Sequence, residues 1–88
     1  MAKNIVIESW MTSKLGLSGN SLILFAIMWR DSKQGEDVAK DDYLNHSAAM
    51  GVSVPTYYNA VKKLVENDII CKAEDGTGFC IKARKQAA

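Results

Sequence analysis

The chain has 88 residues, 48% of them hydrophobic, and its formal net charge at pH 7 is +1. A chain of this length forms a single domain around one small core, and its near-neutral charge gives no bulk attraction to a polyanion. No apolar run approaches the roughly 20 residues that cross a bilayer, and the N-terminus lacks the plan of a signal peptide. We therefore expect one domain, residues 1–88, in a cytoplasmic protein with no membrane partner.

The charges are unevenly distributed along the chain. Residues 31–42 contain five carboxylates against two lysines, a local charge of −3, and residues 69–88 contain four basic against two acidic residues, a local charge of +2. Such a distribution can orient a small domain on a charged partner. From charge alone, an ordinary solvated surface is the simpler interpretation.

The two cysteines, Cys71 and Cys80, match no common zinc-site spacing. We interpret them as buried reduced thiols in preference to a disulfide, as is usual in a cytoplasmic protein. No glycine loop that would cradle a phosphate and no catalytic set is present in the sequence, so we expect neither an enzyme nor a bound cofactor or metal.

The first 19 residues predict an arm followed by a short turn. The β-branched run at residues 4–8 is typical of an edge strand or an extended arm. Gly16 and Gly19 punctuate the next segment, which predicts a short helical turn or loop around Trp10 and Met11.

The first long helix is predicted at residues 20–31, where four apolar residues recur at helical spacing: Leu22, Phe25, Ala26 and Trp29. The intervening positions are also largely apolar. Such a helix either lies at the centre of a small core or buries a second face against a partner. We expect the polar residues 32–39 to form a loop.

The second and third helices are predicted on either side of a glycine turn. Residues 41–50 begin with carboxylates that suit the positive end of a helix dipole. Gly51 supplies the turn, Ser53 caps the next helix and Pro55 lies in its first turn. For this helix, residues 53–67, the spacing predicts an inward face made of Tyr57, Ala60, Val61, Leu64 and Val65.

The last third of the chain predicts a β-hairpin. Two short apolar runs within residues 69–83 are separated by acidic residues and two glycines. Residues 84–88 are predicted to be a frayed tail.

The stretch GVSVPTYYNAVKKLVENDIICK, residues 51–72, combines a Gly-Val-Ser turn, a lysine pair followed by Leu64, and an apolar pair that opens the hairpin. This order resembles the winged helix-turn-helix superfamily, of the bacterial regulator type, across residues 42–83 and in outline across residues 20–30. The resemblance implies an α+β, mostly α fold with three helices and a small β-hairpin wing. It also implies double-stranded DNA as the partner of a small bacterial or mobile-element transcriptional regulator.

Four residues depart from the usual pattern of that superfamily: Leu44, His46, Ser47 and Val54. The first three predict that the second helix starts earlier or is slightly rotated, and Val54 removes one expected DNA contact. We expect His46 to be partly buried and bonded to a neighbour. A second stretch, WMTSKLGLSGNSLILFAIMW at residues 10–29, is similar to the opening of replisome-organiser domains from phages and mobile elements, which implies a role in replication initiation instead.

The third helix is the predicted recognition helix, because its outward side carries polar and basic residues: Ser53, Val54, Pro55, Thr56, Tyr58, Asn59, Lys62 and Lys63. An outward asparagine can bond adenine bidentately, and Tyr58 and the lysines suit phosphates. The predicted wing contacts are Lys72, Thr77, Lys82 and Arg84. Glu74 and Asp75 oppose deep insertion of the hairpin tip, since carboxylates repel phosphates.

Two interpretations of another kind remain open at this point. The lysines can simply form a solvated face, and the domain can be a protein-interaction winged helix without DNA affinity. If it binds DNA, so few cations predict weak binding by one copy. We therefore expect a homodimer through the first helix and the N-terminal arm, with Ile5, Ile7 and Trp10 at the interface.

Overall fold

The computed structural model describes residues 5–74 and 76–82. Within these ranges the elements follow in the order α1 (Ser9–Ser13), α2 (Gly19–Asp31), β1 (Ala39–Lys40), α3 (Tyr43–Met50), α4 (Val54–Glu66), β2 (Ile70–Lys72) and β3 (Gly78–Ile81). The predicted α+β class is confirmed, but the described residues form four helices and three strands where three helices and a hairpin were expected. The predicted tail at residues 84–88 lies outside the described residues. No helix in the described ranges is long and apolar enough to span a membrane.

Helix α2 lies at the centre of the fold. It contacts α1, α3, α4 and β1, and every residue from Leu24 to Trp29 is buried. Because other elements pack around it, the helix is apolar on most of its sides. Of the residues expected at a dimer interface, these α2 residues and Trp10 are covered by the chain itself. Of that surface, Ile7 remains exposed, together with Val6.

The carboxylate of Glu8 joins the N-terminal arm to α2. Residues 5–8 belong to no helix or strand, so the alternative of an edge strand is not realised there. Glu8 accepts hydrogen bonds from the indole Nε1 of Trp10 at 3.0 Å and of Trp29 at 3.2 Å. The two indole rings meet edge to face, with centroids 4.9 Å apart, so arm, α1 and α2 are joined at one point.

The three strands form one antiparallel sheet in the order β1-β3-β2. Strand β1 corrects the loop expected at residues 32–39, because Ala39 pairs with Phe79 and Lys40 pairs with Gly78. A Cβ atom at Gly78 would collide with the carbonyl oxygen of Ala39. The close approach of β1 therefore requires glycine at this position.

Helix α3 begins at Tyr43, two residues after the predicted start. Asp42 precedes it as the N-cap residue, but its carboxylate accepts from the Asn45 side chain at 2.9 Å and caps no backbone N–H. The helix ends at Gly51, whose φ of 72° lies in the left-handed region, as the turn requires. The N–H of Val52 then donates to the carbonyl of Ser47 at 3.0 Å.

A hydrogen bond joins the end of α2 to α3. Nε2 of His46 lies 2.8 Å from Oδ2 of Asp31, and His46 is only 5% exposed, which confirms its expected place. Burial alone would raise the pKa of Asp31, but the hydrogen bonds from His46 and Arg30 and the charge of Arg30 outweigh it and hold this pKa below its ordinary value.

Candidate nucleic-acid interface

Helix α4 begins with a side-chain cap and a proline. Oγ of Ser53 accepts a hydrogen bond of 3.4 Å from the backbone N–H of Thr56 and donates one of 3.0 Å to the Thr56 hydroxyl. Pro55 lies in the first turn, where it sacrifices no helical hydrogen bond. The predicted start of the helix is therefore correct, and its first turn is fixed by local sequence.

The two faces of α4 separate as the residue spacing predicts. Tyr57, Ala60, Val61 and Leu64 are buried against the rest of the domain. Val65, which was expected to face inward, is 43% exposed. The predicted contact residues fall on the other side, where six are exposed and Val54 and Thr56 are half-buried; the exposed ones are Ser53, Pro55, Tyr58, Asn59, Lys62 and Lys63.

Two adjacent tyrosines of α4 share one carboxylate. The Tyr57 hydroxyl donates to Oδ1 of Asp41 at 3.0 Å, and the Tyr58 hydroxyl donates to Oδ2 of Asp41 at 3.3 Å. Burial, the bond to Asp41 and its negative charge raise the pKa of Tyr57 well above the ordinary value. Desolvation and the Asp41 charge also raise the pKa of Tyr58. The Tyr58 hydroxyl, predicted to bond a phosphate, is thus already engaged.

The side of α4 next to Asp41 is acidic. A shallow cleft of about 660 Å³ separates β1 from the start of α3 and from Thr77 of the hairpin tip. Four carboxylates line this cleft: Asp31, Asp37, Asp41 and Asp42. Within residues 5–74 and 76–82, no group of three or more potential ligands is arranged to hold a metal ion. The acidic surface is therefore an electrostatic feature and provides no metal centre.

The apolar part of the same surface is formed at the start of α3. Leu44 is 63% exposed and Tyr43 is 41% exposed. The Tyr43 ring lies 6.0 Å from the ring of Tyr58, centroid to centroid. Leu44 thus stands in solvent at a position where the winged-helix resemblance leads one to expect a polar residue.

The lysines of α4 differ from those of the predicted wing. Neither Lys62 nor Lys63 forms an ion pair with another described residue, and Lys72 is likewise exposed and unpaired within this part of the chain. Lys82 instead forms an ion pair with Asp68, which raises the pKa of its ammonium group. Thr77 is exposed, and its backbone carbonyl accepts from the N–H of Asp41 at 3.3 Å. Arg84 lies outside the described residues.

The sequence interpretation missed the contribution of Asp41 to this surface. Sixteen and seventeen residues separate it from the tyrosines that it binds, so no local spacing connects them. The one available signal was the local charge of −3 across residues 31–42, which was interpreted as a helix start and a solvated surface.

No protein family, curated protein or solved structure matches this chain. The function of this chain is therefore inferred from the geometry of α3, α4 and the sheet.

Proposed function

We propose that the domain binds double-stranded DNA as a winged helix-turn-helix module, with α4 along the major groove and the β2–β3 hairpin beside it. One observation carries this proposal: α4 buries Tyr57, Ala60, Val61 and Leu64 on one side and leaves other residues in solvent, among them Asn59, Lys62 and Lys63. A helix of this kind fits the major groove, and its N-terminal part faces the base edges. The left-handed turn at Gly51 and the sheet order β1-β3-β2 are consistent with the same architecture.

The outward residues divide into two roles along α4. Pro55, Thr56 and Asn59 lie in its N-terminal half, where contacts to bases are made. Lys62 and Lys63 follow about one turn after Asn59, in a position suited to phosphates. Tyr58 joins the interface only if its hydroxyl exchanges Asp41 for a group on the nucleic acid.

Binding by one copy is expected to be weak. With few unpaired lysines, the dissociation constant falls in the range of non-specific contacts, about 10⁻⁴–10⁻⁶ M at physiological salt. A small transcriptional regulator of a bacterium or mobile element is the class that this proposal favours. A replisome-organiser module would use the same helix and differ in the genes that surround it.

Fluorescence anisotropy with a labelled, mixed-sequence duplex at low salt tests the proposal. We expect saturable binding that weakens as salt rises. Lys62→Glu and Lys63→Glu should each weaken it markedly, and replacing either lysine by alanine should lower the slope of log affinity against log salt by about 1. Lys14→Glu is the matched control, because Lys14 is exposed after α1, far along the chain from α4, and carries the same charge change. Equal losses in all three glutamate variants would contradict the proposed orientation.

A second candidate function is protein interaction without DNA affinity. It is favoured by the carboxylate of Asp41 on Tyr58 and by the exposed Tyr43 and Leu44 beside it. An apolar patch with an acidic edge suits a cationic protein segment better than a phosphate backbone. The absence of any binding to duplex DNA at low salt would favour this candidate.

A further inference from the structure

The two cysteines face each other across the hairpin. Cys71 on β2 and Cys80 on β3 are direct register partners, between the pairs Ile70–Ile81 and Lys72–Phe79. They are not joined by a disulfide. Their side chains therefore leave the same face of the sheet at the same level.

The hydrogen bonds of the hairpin define the geometry of this pair. The N–H of Ala73 donates to the Gly78 carbonyl at 2.9 Å, and the N–H of Lys82 donates to the Ile69 carbonyl at 2.8 Å. Because hydrogen-bonded and non-hydrogen-bonded pairs alternate along an antiparallel ladder, Cys71 and Cys80 occupy a hydrogen-bonded pair. Their Cα atoms are then about 5.5 Å apart, inside the range of about 4.4–6.8 Å that a disulfide spans.

The surroundings of the pair leave it open to reaction. Both cysteines are half-buried, which corrects the expectation of fully buried thiols. Ile70, Phe79 and Ile81 point to the opposite face and are buried in the core. A bond between the two sulfur atoms would therefore form on the face of the sheet opposite the core.

We propose that Cys71 and Cys80 form a reversible disulfide across the hairpin by exchange with a small-molecule disulfide. One thiolate attacks that disulfide, forms a mixed disulfide with half of it and releases the other half as a thiolate. The second cysteine thiolate then attacks the protein sulfur of the mixed disulfide, which closes the Cys71–Cys80 bond and releases the second half. Two protein thiols are oxidised, one external disulfide is reduced to two thiols, and the two protons pass to the products.

The position of the bond makes it easy to reverse. Directly opposed Cβ atoms in a sheet lie about 4.5–5.5 Å apart, with the shorter distances in non-hydrogen-bonded pairs, whereas a disulfide needs about 3.5–4.5 Å. The strands must approach slightly, and a strained, accessible disulfide is readily reduced. The pair thus responds to the ambient redox state and does not serve as a permanent cross-link. This inference stands whether or not the domain binds DNA.

The test uses the full chain, reduced and then equilibrated with mixtures of reduced and oxidised glutathione under native conditions. After quenching by alkylation, intact mass spectrometry should find mainly a monomer that has lost its two thiol hydrogens and resists alkylation. This species should exceed the mixed disulfide with glutathione by at least about tenfold, because the second thiol is held at high effective concentration. Dithiothreitol should reverse it, and the oxidised protein should keep the far-ultraviolet circular dichroism spectrum of the reduced one.

The matched control retains two cysteines but moves one of them. In the double variant Cys80→Ser with Lys82→Cys, the second thiol lies diagonally from Cys71, about 7–8 Å away, and only mixed disulfides should form. The proposal is overturned if the natural chain accumulates mixed disulfides or covalent dimers in place of the internal bond. It is also overturned if the displaced pair closes as readily, or if oxidation abolishes the spectrum of the folded state.

Discussion

The hydroxyl of Tyr57 donates a hydrogen bond of 3.0 Å to Oδ1 of Asp41, and this contact fixes the buried face of α4 to the chain between β1 and α3. Tyr57 is fully buried, so its hydroxyl needs an acceptor inside the domain. The same carboxylate reaches Tyr58 on the outer side of α4. One acidic residue thus acts both on the stability of the core and on the charge of the proposed binding face.

Removing the Tyr57 hydroxyl is expected to destabilise the domain. A hydrogen bond to a charged group contributes about 1.5–3 kcal/mol, so Tyr57→Phe should lower the free energy of unfolding by about that amount in urea denaturation. Tyr58→Phe is the control, because Tyr58 is 40% exposed and its loss should cost less than about 1 kcal/mol. Equal losses of stability in the two variants would contradict a larger contribution from the hydrogen bond between Tyr57 and Asp41.

The tyrosines also predict a loss of stability in alkali. The folded-state pKa values of Tyr57 and Tyr58 are raised, so above the ordinary tyrosine value of about 10 the unfolded chain binds fewer protons than the folded one. Stability should be complete below about pH 10 and fall as pH rises further. Phenolate absorbance should show Tyr57 ionising only as the domain unfolds, and early ionisation of all three tyrosines with the fold intact would contradict this.

Asp31 predicts a loss of stability in acid. Its folded-state pKa is lowered by His46 and Arg30 in spite of burial, so its contribution is present above the unfolded value of about 3.9 and is lost as pH falls below it. Asp31→Asn should lower stability at neutral pH and make the dependence on pH below about 4 shallower. Asp37→Asn, at an exposed surface pair with Lys33, should leave that dependence unchanged. If the free energy of unfolding fell equally with pH in the natural chain and in Asp31→Asn, the proposed role of Asp31 would be contradicted.

Asp41 is expected to weaken DNA binding. Its carboxylate lies against Tyr58 on the face proposed to meet phosphates. Asp41→Asn keeps one oxygen that can accept from Tyr57 but removes the charge and the second acceptor, so duplex affinity at low salt should rise by roughly two- to tenfold, and the gain should shrink as salt screens it. Asp37→Asn, farther from α4 along the chain, is the control. A loss of affinity on Asp41→Asn would contradict the orientation of α4.

The elements with strong local signals could be predicted from the sequence. Helix α4 has the expected start and buried face. Its signals lie within a few residues of one another: the cap at Ser53, the proline at position 55 and the spacing of Tyr57, Ala60 and Leu64. The end of α3 followed likewise from the glycine at position 51. These signals are local, so one sequence contains them completely.

The features that depend on distant contacts were missed. Strand β1 has two residues and no alternating pattern, and it exists because Ala39 pairs with Phe79 and Lys40 pairs with Gly78, about forty positions later. The apolar surface of α2 could be interpreted as a central helix or as a dimer surface, and the burial of its residues 24–29 depends on packing against α1, α3, α4 and β1. The contacts of Asp41 with Tyr57 and Tyr58 also join residues that are distant in the sequence.

The most direct test of the account is a titration of isotope-labelled protein with a short mixed-sequence duplex at low salt, followed by amide chemical shifts. The account predicts that the largest changes occur at residues 53–63 of the α4 region and in the β2–β3 hairpin around Lys72 and Thr77. Amides of the arm and of α1 should change little. No shifts at all, or shifts concentrated at the arm and α1, would contradict the proposal that α4 lies along DNA.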